Sequence, residues 1–299
     1  MNGSTGRDRL ISRRVPCLTL IQSVAILLDL LESLPIAPLL LVTLIGGAAA
    51  GALVLVTVRV TVRVLGIAPT QPLPIRDALI SSLSAMFALM VTFSAAGIWS
   101  DAVQADAAVQ REANSIENAF AIAWSFPDEF REYVHNAILS YGRLVVQSDW
   151  PAMRRRAGVN EALFDRSNSP LVALIKRTSE ESSSGRSHPL SGALIDQIAG
   201  LRAARLQREM IARGGVSQAQ WLAMILIALG AMTMIAVAHN HESGLQITTL
   251  AVYAVGVSSA FFVLLANDRP FFGYLAVEPI PIEQAIERIE RSFMDRSLN

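Results

Sequence analysis

The sequence is poor in the side chains from which disulfides and most metal sites are built. Cys17 is the only cysteine, which excludes an intrachain disulfide. The four histidines are scattered, and the closest pair, His239 and His241, has only Glu242 beside it, so we predict no metal site and no cofactor. The sequence also has no glycine-rich phosphate loop and no nucleophile elbow, and these absences argue against an enzyme.

A net charge of either sign is absent as well. The chain has 25 basic and 25 acidic residues, so its formal net charge at pH 7 is zero. Nucleic acids and acidic membrane surfaces attract proteins that carry a large positive charge. We therefore expect no nucleic acid among the partners of this protein.

Charged residues are missing altogether from four long apolar stretches. About 20 apolar residues in helical form cross the hydrocarbon core of a lipid bilayer. No strand pattern is present, so the sequence predicts an all-α membrane protein with four transmembrane helices. The stretches form two close pairs, which indicates two helical hairpins with a large domain between them. The predicted spans are Ile36–Val58, Ala78–Trp99, Trp221–Ala238 and Leu245–Ala266.

The spacing of the spans divides the chain into five parts. A cytoplasmic helical domain joins the two transmembrane hairpins, and a cytoplasmic segment follows the second hairpin. A basic segment with an amphipathic interfacial helix precedes the first one. The predicted boundaries are 1–35 for the N-terminal segment, 36–99 for the first hairpin, 100–216 for the helical domain, 217–267 for the second hairpin and 268–299 for the C-terminal segment.

Arginines near the span ends predict the orientation, since Arg and Lys accumulate on the cytoplasmic side. They are frequent in both terminal segments and in the helical domain, which predicts that the termini and this domain are cytoplasmic. Arg59, Arg63 and Arg76 disagree, because they lie around the first short loop, which is then outside. A fifth span at Pro16–Leu34 would restore the rule, and a cleaved signal peptide there is a third interpretation. The polar residues of this segment favour an interfacial helix.

Glycine and proline indicate where helices pack closely and where they end. Gly47 and Gly51, four residues apart in the first span, predict a tightly packed helix. No glycine or proline lies between the second span and Pro127, so that span and Asp101–Trp124 are predicted to form one continuous helix. A new helix is predicted to begin at Pro127 and to end at the Trp150-Pro151 pair.

Three stretches next to the spans carry distinctive motifs. One follows the second span, one is a basic helix before the third span, and one follows the fourth span. The stretches are Glu112-Ala113-Asn114-Ser115-Ile116, Leu201-Arg202-x-Ala204-Arg205 and Asp268-Arg269-Pro270-Phe271-Phe272-Gly273. They resemble motifs of the bacterial bestrophin-like family, a group distantly related to bestrophin channels. The layout of two hairpins around a helical domain is also similar, and the resemblance covers residues 36–290.

The resemblance implies a homo-oligomer, expected to be a pentamer, that lies in the lipid bilayer and conducts small inorganic ions through a central pore lined by the second span. The matching residues are expected to have structural roles. Glu112 and Asn114 would hydrogen-bond to a neighbouring helix, such as the one that bears Arg202 and Arg205. Asp268 would accept backbone N–H groups at the end of the fourth span. The other matching residues of the third motif are Pro270, Phe271 and Gly273.

One face of the second helix predicts how such a pore would be built. At about 100° per residue, bulky apolar side chains on this face are followed by small ones and then by carboxylates towards the cytoplasm. The apolar set would form a neck that gates by dewetting, and rings of carboxylates at the inner mouth would favour cations. The neck residues are Leu83, Phe87 and Met90, and the inner-mouth acidic ring is Asp101 and Glu112.

Other interpretations of this helix stay open. The neck residues would equally face lipid or the protein core, with the carboxylates on a solvated face. A rival pore face, which would equally serve helix packing, lies almost opposite. In function, the channel hypothesis competes with a non-conducting membrane scaffold or sensor that signals through its helical domain. The rival face comprises Ser81, Ser84, Ala88, Thr92 and Ala95.

Overall fold

The computed structural model describes residues 31, 34–65, 74–154, 161–183, 188–239, 243–272 and 276–297. All regular structure in these residues is helical, which confirms the predicted all-α fold class. The predicted interfacial helix at Pro16–Leu34, apart from Leu31 and Leu34, lies outside the described residues. So do His241, Glu242 and Gly273.

The described residues form nine α-helices and one π-helical turn. In chain order these are α1 (Ile36–Leu65), α2 (Pro74–Ala123), α3 (Asp128–Leu144), the π-helical turn (Val145–Asp149), α4 (Trp150–Arg154), α5 (Glu161–Ser183), α6 (Ser191–Ala212), α7 (Gln218–Ala238), α8 (Ser243–Asn267) and α9 (Ile280–Ser297). Four of them, α1, α2, α7 and α8, are long and apolar enough to cross a membrane. Each of the four contains one of the predicted spans.

Contacts within the chain divide it into two compact units. The span unit comprises residues 1–98 and 216–268, and so holds α1, the first part of α2, α7 and α8. The helical unit comprises residues 99–215 and 269–299, and holds the rest of α2 together with α3 to α6 and α9. Helix α2 runs for 50 residues without a break, which confirms the continuous helix predicted from its lack of glycine and proline after the span.

Close packing at small residues holds α1 against α8 in the span unit. A Cβ atom added to Gly47 would lie 1.9 Å from the Ser258 hydroxyl oxygen, and one added to Gly51 would lie 3.7 Å from Leu250. The two glycines therefore face α8 along one side of α1. Small residues at such positions let helix backbones approach, which is a main source of helix association in lipid.

A short chain of polar groups connects α1, α8 and α7. The guanidinium of Arg59 donates to the side-chain oxygen of Gln246 at 3.3 Å, and the Gln246 amide donates to the carbonyl oxygen of Ala236 at 2.6 Å. Gln246 is buried, so these bonds satisfy polar groups that water does not reach. They lie beside the loop that joins α7 to α8.

The core of the helical unit is built on α3. Pro127 precedes this helix, and Asp128 and Glu129 lie in its first turn, where carboxylates interact favourably with the helix dipole. Val134 and Ile138 follow at helical spacing and are fully buried. The apolar face of α3 therefore packs against the rest of the unit, as its periodicity indicates.

The predicted end of this helix at Trp150-Pro151 is wrong. The chain passes from α3 through the π-helical turn Val145–Asp149 into α4 and stays helical as far as Arg154. Pro151 fits because it follows a change of helical register and occupies the first turn of α4, a position that proline favours. The wider turn places Asp149 and Trp150 in the interior, where both are buried.

Candidate functional site

The neck residues predicted from the sequence point into the span unit itself. Phe87 is 8% exposed, and its ring packs edge-on against Phe261 of α8 with the centroids 5.8 Å apart. Leu83 approaches α7 at Gly230, and Met90 packs against the same apolar core. Phe87 is buried, and Leu83 and Met90 are half-buried against this core, so the three side chains face the interior of the chain. The pore neck stays a prediction, because helical periodicity defines a face without giving its direction.

Another side of α2, about a quarter-turn from the neck residues, is open. Met86, Leu89 and Phe93 are 52%, 56% and 63% exposed and follow one another at helical spacing. We call these three residues the exposed stripe. Apolar side chains this exposed on a membrane helix face lipid or another copy of the chain. On the rival pore face, Ser81, Ala88 and Thr92 are exposed, whereas Ser84 and Ala95 are partly buried.

The two carboxylates predicted for the inner mouth lie in different surroundings. Asp101 is half-buried and lines a cleft of about 470 Å³ between α2 and α6, together with Gln104 and Gln207. Glu112 is fully buried. The prediction that Glu112 belongs to an acidic ring is wrong, because its carboxylate does not reach solvent and is already paired within the chain.

Glu112 is instead held in the interior of the helical unit. Its carboxylate accepts two hydrogen bonds from Arg208, with Nε 2.7 Å from Oε2 and Nη2 3.2 Å from Oε1. The hydroxyl of Tyr141 donates to the same Oε1. Arg208 also reaches Asp149, whose Oδ2 lies 3.3 Å from Nη2. All four side chains are inaccessible to solvent, so the ion pairs form at low dielectric constant.

Further charged and polar groups extend this arrangement. Arg205 pairs with Glu209, one turn along α6, at 2.8 Å. The hydroxyl of Ser167 on α5 donates to Oδ2 of Asp149 at 2.8 Å. The set connects α2, α3, the π-helical turn, α5 and α6. We call it the buried charge cluster; its members are Glu112, Tyr141, Asp149, Ser167, Arg205, Arg208 and Glu209.

Burial and ion pairing act in opposite directions on the pKa values of Asp149, Glu209 and Arg208. Burial favours the neutral form of each side chain, whereas its ion-pair partner favours the charged form. Burial raises the pKa of Asp149, although the charge of Arg208 acts in the opposite direction. Burial likewise raises the pKa of Glu209 against the charge of Arg205. For Arg208, burial alone would lower the pKa, but the charge of Glu112 outweighs it and the pKa is raised. Arg208 therefore stays charged, and the raised pKa values mean that Asp149 and Glu209 hold protons more tightly than usual.

The buried charge cluster is not suited to binding a metal ion. Two guanidinium groups already occupy its centre, where a metal ion would be repelled. Throughout the part of the chain that the structure describes, no three His, Cys, Asp or Glu side chains come together in a way that would hold a metal ion.

The helix that bears Arg202 and Arg205 does supply the partner of Glu112, but the residue is Arg208. Arg202 is exposed. Arg208 continues, at helical spacing, the buried stripe of α6 that includes Leu201. An arginine in line with an apolar stripe is the sequence signal that identifies it, because a buried charge needs a buried partner.

Other residues of the matching motifs make local contacts. Asn114 is exposed and accepts a hydrogen bond from Gln110 of the same helix at 3.2 Å, so it does not bind a neighbouring helix through this bond. Asp268 is buried, and its Oδ1 accepts the backbone N–H of Val216 at 2.7 Å. This bond connects the end of α8 to the segment just before α7 in the span unit.

The third motif also contributes to the core of the helical unit. Phe271 is buried and packs edge-on against Trp150, with ring centroids 5.6 Å apart. The carbonyl oxygen of Pro270 accepts the backbone N–H of Val277 at 2.7 Å. These contacts are structural.

The bestrophin-like domain matches residues 46–282, which is most of this chain. The chain belongs to the bestrophin-like family. Two solved structures with the same fold are of a bacterial bestrophin homologue from Klebsiella pneumoniae. A single-residue variant gives a TM-score of 0.58 at 15% identity, over 86% of this chain and 98% of that one. A second structure of the homologue, solved by Zn-SAD phasing, gives a TM-score of 0.57 at 16% sequence identity, over 85% of this chain and 97% of that one.

At these identities the likeness to the Klebsiella homologue shows the fold alone. No curated protein sequence matches the chain. The family resemblance inferred from the three motifs is confirmed, and this bestrophin-like protein is a membrane protein with four helices suited to span a bilayer.

Proposed function

We propose that this bestrophin-like protein forms a homo-oligomeric channel for small inorganic ions in a bacterial inner membrane. The observation that carries the proposal is the exposed stripe of α2, Met86, Leu89 and Phe93. In a ring of copies the stripe would surround the central axis, and bulky apolar side chains there would form a constriction that gates by dewetting. The family resemblance supports a pentamer as the form of the ring.

A slight preference for cations is the finer part of the proposal. Of the two carboxylates assigned to the inner mouth, only Asp101 has access to solvent. One such carboxylate per copy, repeated around a ring, would raise the local concentration of cations. The predicted spans contain no Asp, Glu, Lys, Arg or His, and a proton-coupled transporter usually carries an acidic residue or a histidine at mid-membrane.

The pore assignment is tested by one substitution made on each side of α2. Phe93→Ala and Phe87→Ala are the same chemical change less than two turns apart, one exposed and one buried. In liposomes under an imposed salt gradient, we expect Phe93→Ala to raise ion flux, because loss of the ring lowers the dewetting barrier. Phe87→Ala should leave the flux per folded channel unchanged and should cost about 3–5 kcal/mol of stability, because it leaves a cavity beside Phe261.

Two outcomes contradict this proposal. If ion flux rises with Phe87→Ala and not with Phe93→Ala, the pore neck is formed by the face of α2 that was first predicted from the sequence. If the wild type and both variants show no flux of common cations or anions, the proposal that the protein conducts ions is rejected. The non-conducting scaffold or sensor would then be preferred.

An exposed apolar pair in the helical unit favours that second candidate. Leu206 and Met210 lie one turn apart on α6, and both are exposed. Large apolar side chains at helical spacing on a unit outside the predicted spans suit a protein contact. In a sensor, such a contact would be with a partner protein.

A further inference from the structure

The buried charge cluster has one more acidic group than basic groups. Glu112, Asp149 and Glu209 carry three carboxyl groups, whereas Arg205 and Arg208 carry two guanidinium groups, and all five side chains are buried. If every group were ionised, the cluster would hold an uncompensated negative charge in the interior. Such a charge is costly, and a buried acid normally avoids the cost by keeping its proton.

Asp149 is the carboxyl group whose surroundings fit a bound proton. Its Oδ2 accepts from Ser167 at 2.8 Å and lies 3.3 Å from Nη2 of Arg208, with Nε of Arg205 at 3.9 Å. Its Oδ1 is buried and has no hydrogen-bond partner among the residues that the structure describes. Glu112, by contrast, accepts hydrogen bonds at both oxygens. An ionised Asp149 would leave a charged oxygen unsatisfied, whereas protonation leaves a neutral hydroxyl there, which costs much less to bury.

Asp149 lies at a point in the backbone where gain or loss of its proton can change the conformation of the helix. Asp149 is the last residue of the π-helical turn that begins at Val145. A π-helical turn holds one residue more than the α-helix around it and is often found at functional sites. Returning the turn to α-helical register would rotate Asp149 by about 100° relative to α3, which is enough to carry its side chain out of the cluster.

The groups that face Asp149 come from every element packed around it. Ser167 on α5 and Arg205, Arg208 and Glu209 on α6 act on Asp149 directly. Glu112 on α2 binds the same Arg208, Tyr141 on α3 donates to Glu112, and the charge of Arg213 acts on Glu209. We propose that Asp149 is a proton-binding site and that release of its proton to solvent loosens the π-helical turn Val145–Asp149. This proposal does not depend on conduction, so it can fail or hold independently of the channel.

The sign of the pH dependence follows from the raised pKa of Asp149 in the folded protein. Because the folded state keeps this proton at pH values where the unfolded chain has lost it, stability falls as pH rises between the two pKa values and is constant above both. Glu209, whose pKa is also raised, changes stability in the same direction. The two contributions are separated by replacing each residue in turn.

The experiment compares Asp149→Asn, Glu209→Gln and the wild type in the full-length purified protein between pH 5 and pH 9. We expect the melting temperature of the wild type to fall with rising pH by at least about 2 °C. Asp149→Asn should remove most of this fall, because the amide cannot ionise. Glu209→Gln should remove only part of it, since it balances the charges but leaves Asp149 able to titrate. Asp128→Asn is the control. Because Asp128 is exposed, its replacement should not change the dependence of the melting temperature on pH.

Hydrogen–deuterium exchange tests the conformational part. After correction for the intrinsic effect of pH, amides of Val145–Asp149 should exchange faster at high pH in the wild type and not in Asp149→Asn, while the first turns of α3 stay unchanged. If the melting temperature of Asp149→Asn falls with rising pH as much as that of the wild type, the assignment of the proton to Asp149 is wrong. The same holds if only Glu209→Gln removes the fall. Exchange of the turn that is independent of pH would overturn the switch. If Asp149→Asn does not fold, the wild-type exchange data and Glu209→Gln still decide.

Discussion

At the scale of single residues, the pairing of Glu112 with Arg208 accounts for the first family motif. The motif places a glutamate on a polar helix, where a solvated side chain would be expected, but the carboxylate is buried and held by Arg208 and Tyr141. A buried ion pair adds little stability in itself, because the cost of removing both charges from water offsets their attraction. Removing one partner is different, because the other charge is then left alone in the interior.

Arg208→Ala should therefore destabilise the protein by about 3–5 kcal/mol, since Glu112 and Asp149 both lose the guanidinium that binds them. Arg202→Ala is the matched control. Arg202 lies on the same helix but is exposed, so its loss should change stability by less than about 0.5 kcal/mol. Thermal unfolding of the two purified variants measures the difference. Equal melting temperatures would show that the cluster does not hold α6 to α2.

At the scale of helices, composition predicts where along the chain each helix lies, whereas packing determines which of its faces points into the core. Uncharged runs locate the spans, and the lack of glycine and proline predicts the unbroken α2. Neither property predicts which side of α2 faces the core, because Phe87 and Phe93 have the same chemistry and only the packing of α7 and α8 distinguishes them. The π-helical turn has no residue signature either, and Pro151 indicates a break where the chain stays helical.

The buried charge cluster is predictable only in part for the same reason. The resemblance identifies Glu112 and the helix that supplies its partner. Asp149 is not singled out, because an aspartate just before a Trp-Pro pair is typical of a loop. Its burial depends on the register change of the π-helical turn, and the partner Ser167 is on another helix. Contacts between residues far apart in the sequence set such a site.

The contact between α1 and α8 can be tested with two adjacent glycines. Gly47→Ala should destabilise the protein by about 1–3 kcal/mol, because the new Cβ atom would collide with Ser258 and force the helices apart. Gly46→Ala is the matched control, since a Cβ atom there meets nothing within 4 Å, and alanine favours the helix. Melting temperatures in detergent compare the pair. If Gly47→Ala melts at or above the temperature of Gly46→Ala, α1 does not pack closely against α8 through this glycine.

At the scale of the whole molecule, Arg59 bears on orientation. It is one of the arginines that disagree with the predicted topology, in which the first short loop is outside. Its guanidinium is bonded to Gln246, which in turn bonds the carbonyl oxygen of Ala236. Arg59 thus has a structural role that accounts for an arginine at this end of α1. The bonds also place the C-terminal part of α1 beside the loop between α7 and α8, as two hairpins of the same orientation require.

The orientation itself predicts which residues a membrane-impermeant thiol reagent reaches in intact spheroplasts. In a Cys17→Ser background, Gly244→Cys should be labelled from outside, because Gly244 is exposed at the start of α8, beside the outer loop. Glu287→Cys is the matched control; it is exposed on α9, beyond the end of α8, and should react only after the membrane is permeabilised. A single crossing by α8 separates the two positions. Labelling of Glu287→Cys alone would invert the topology, and equal labelling of both in intact spheroplasts would mean that α8 does not cross the membrane.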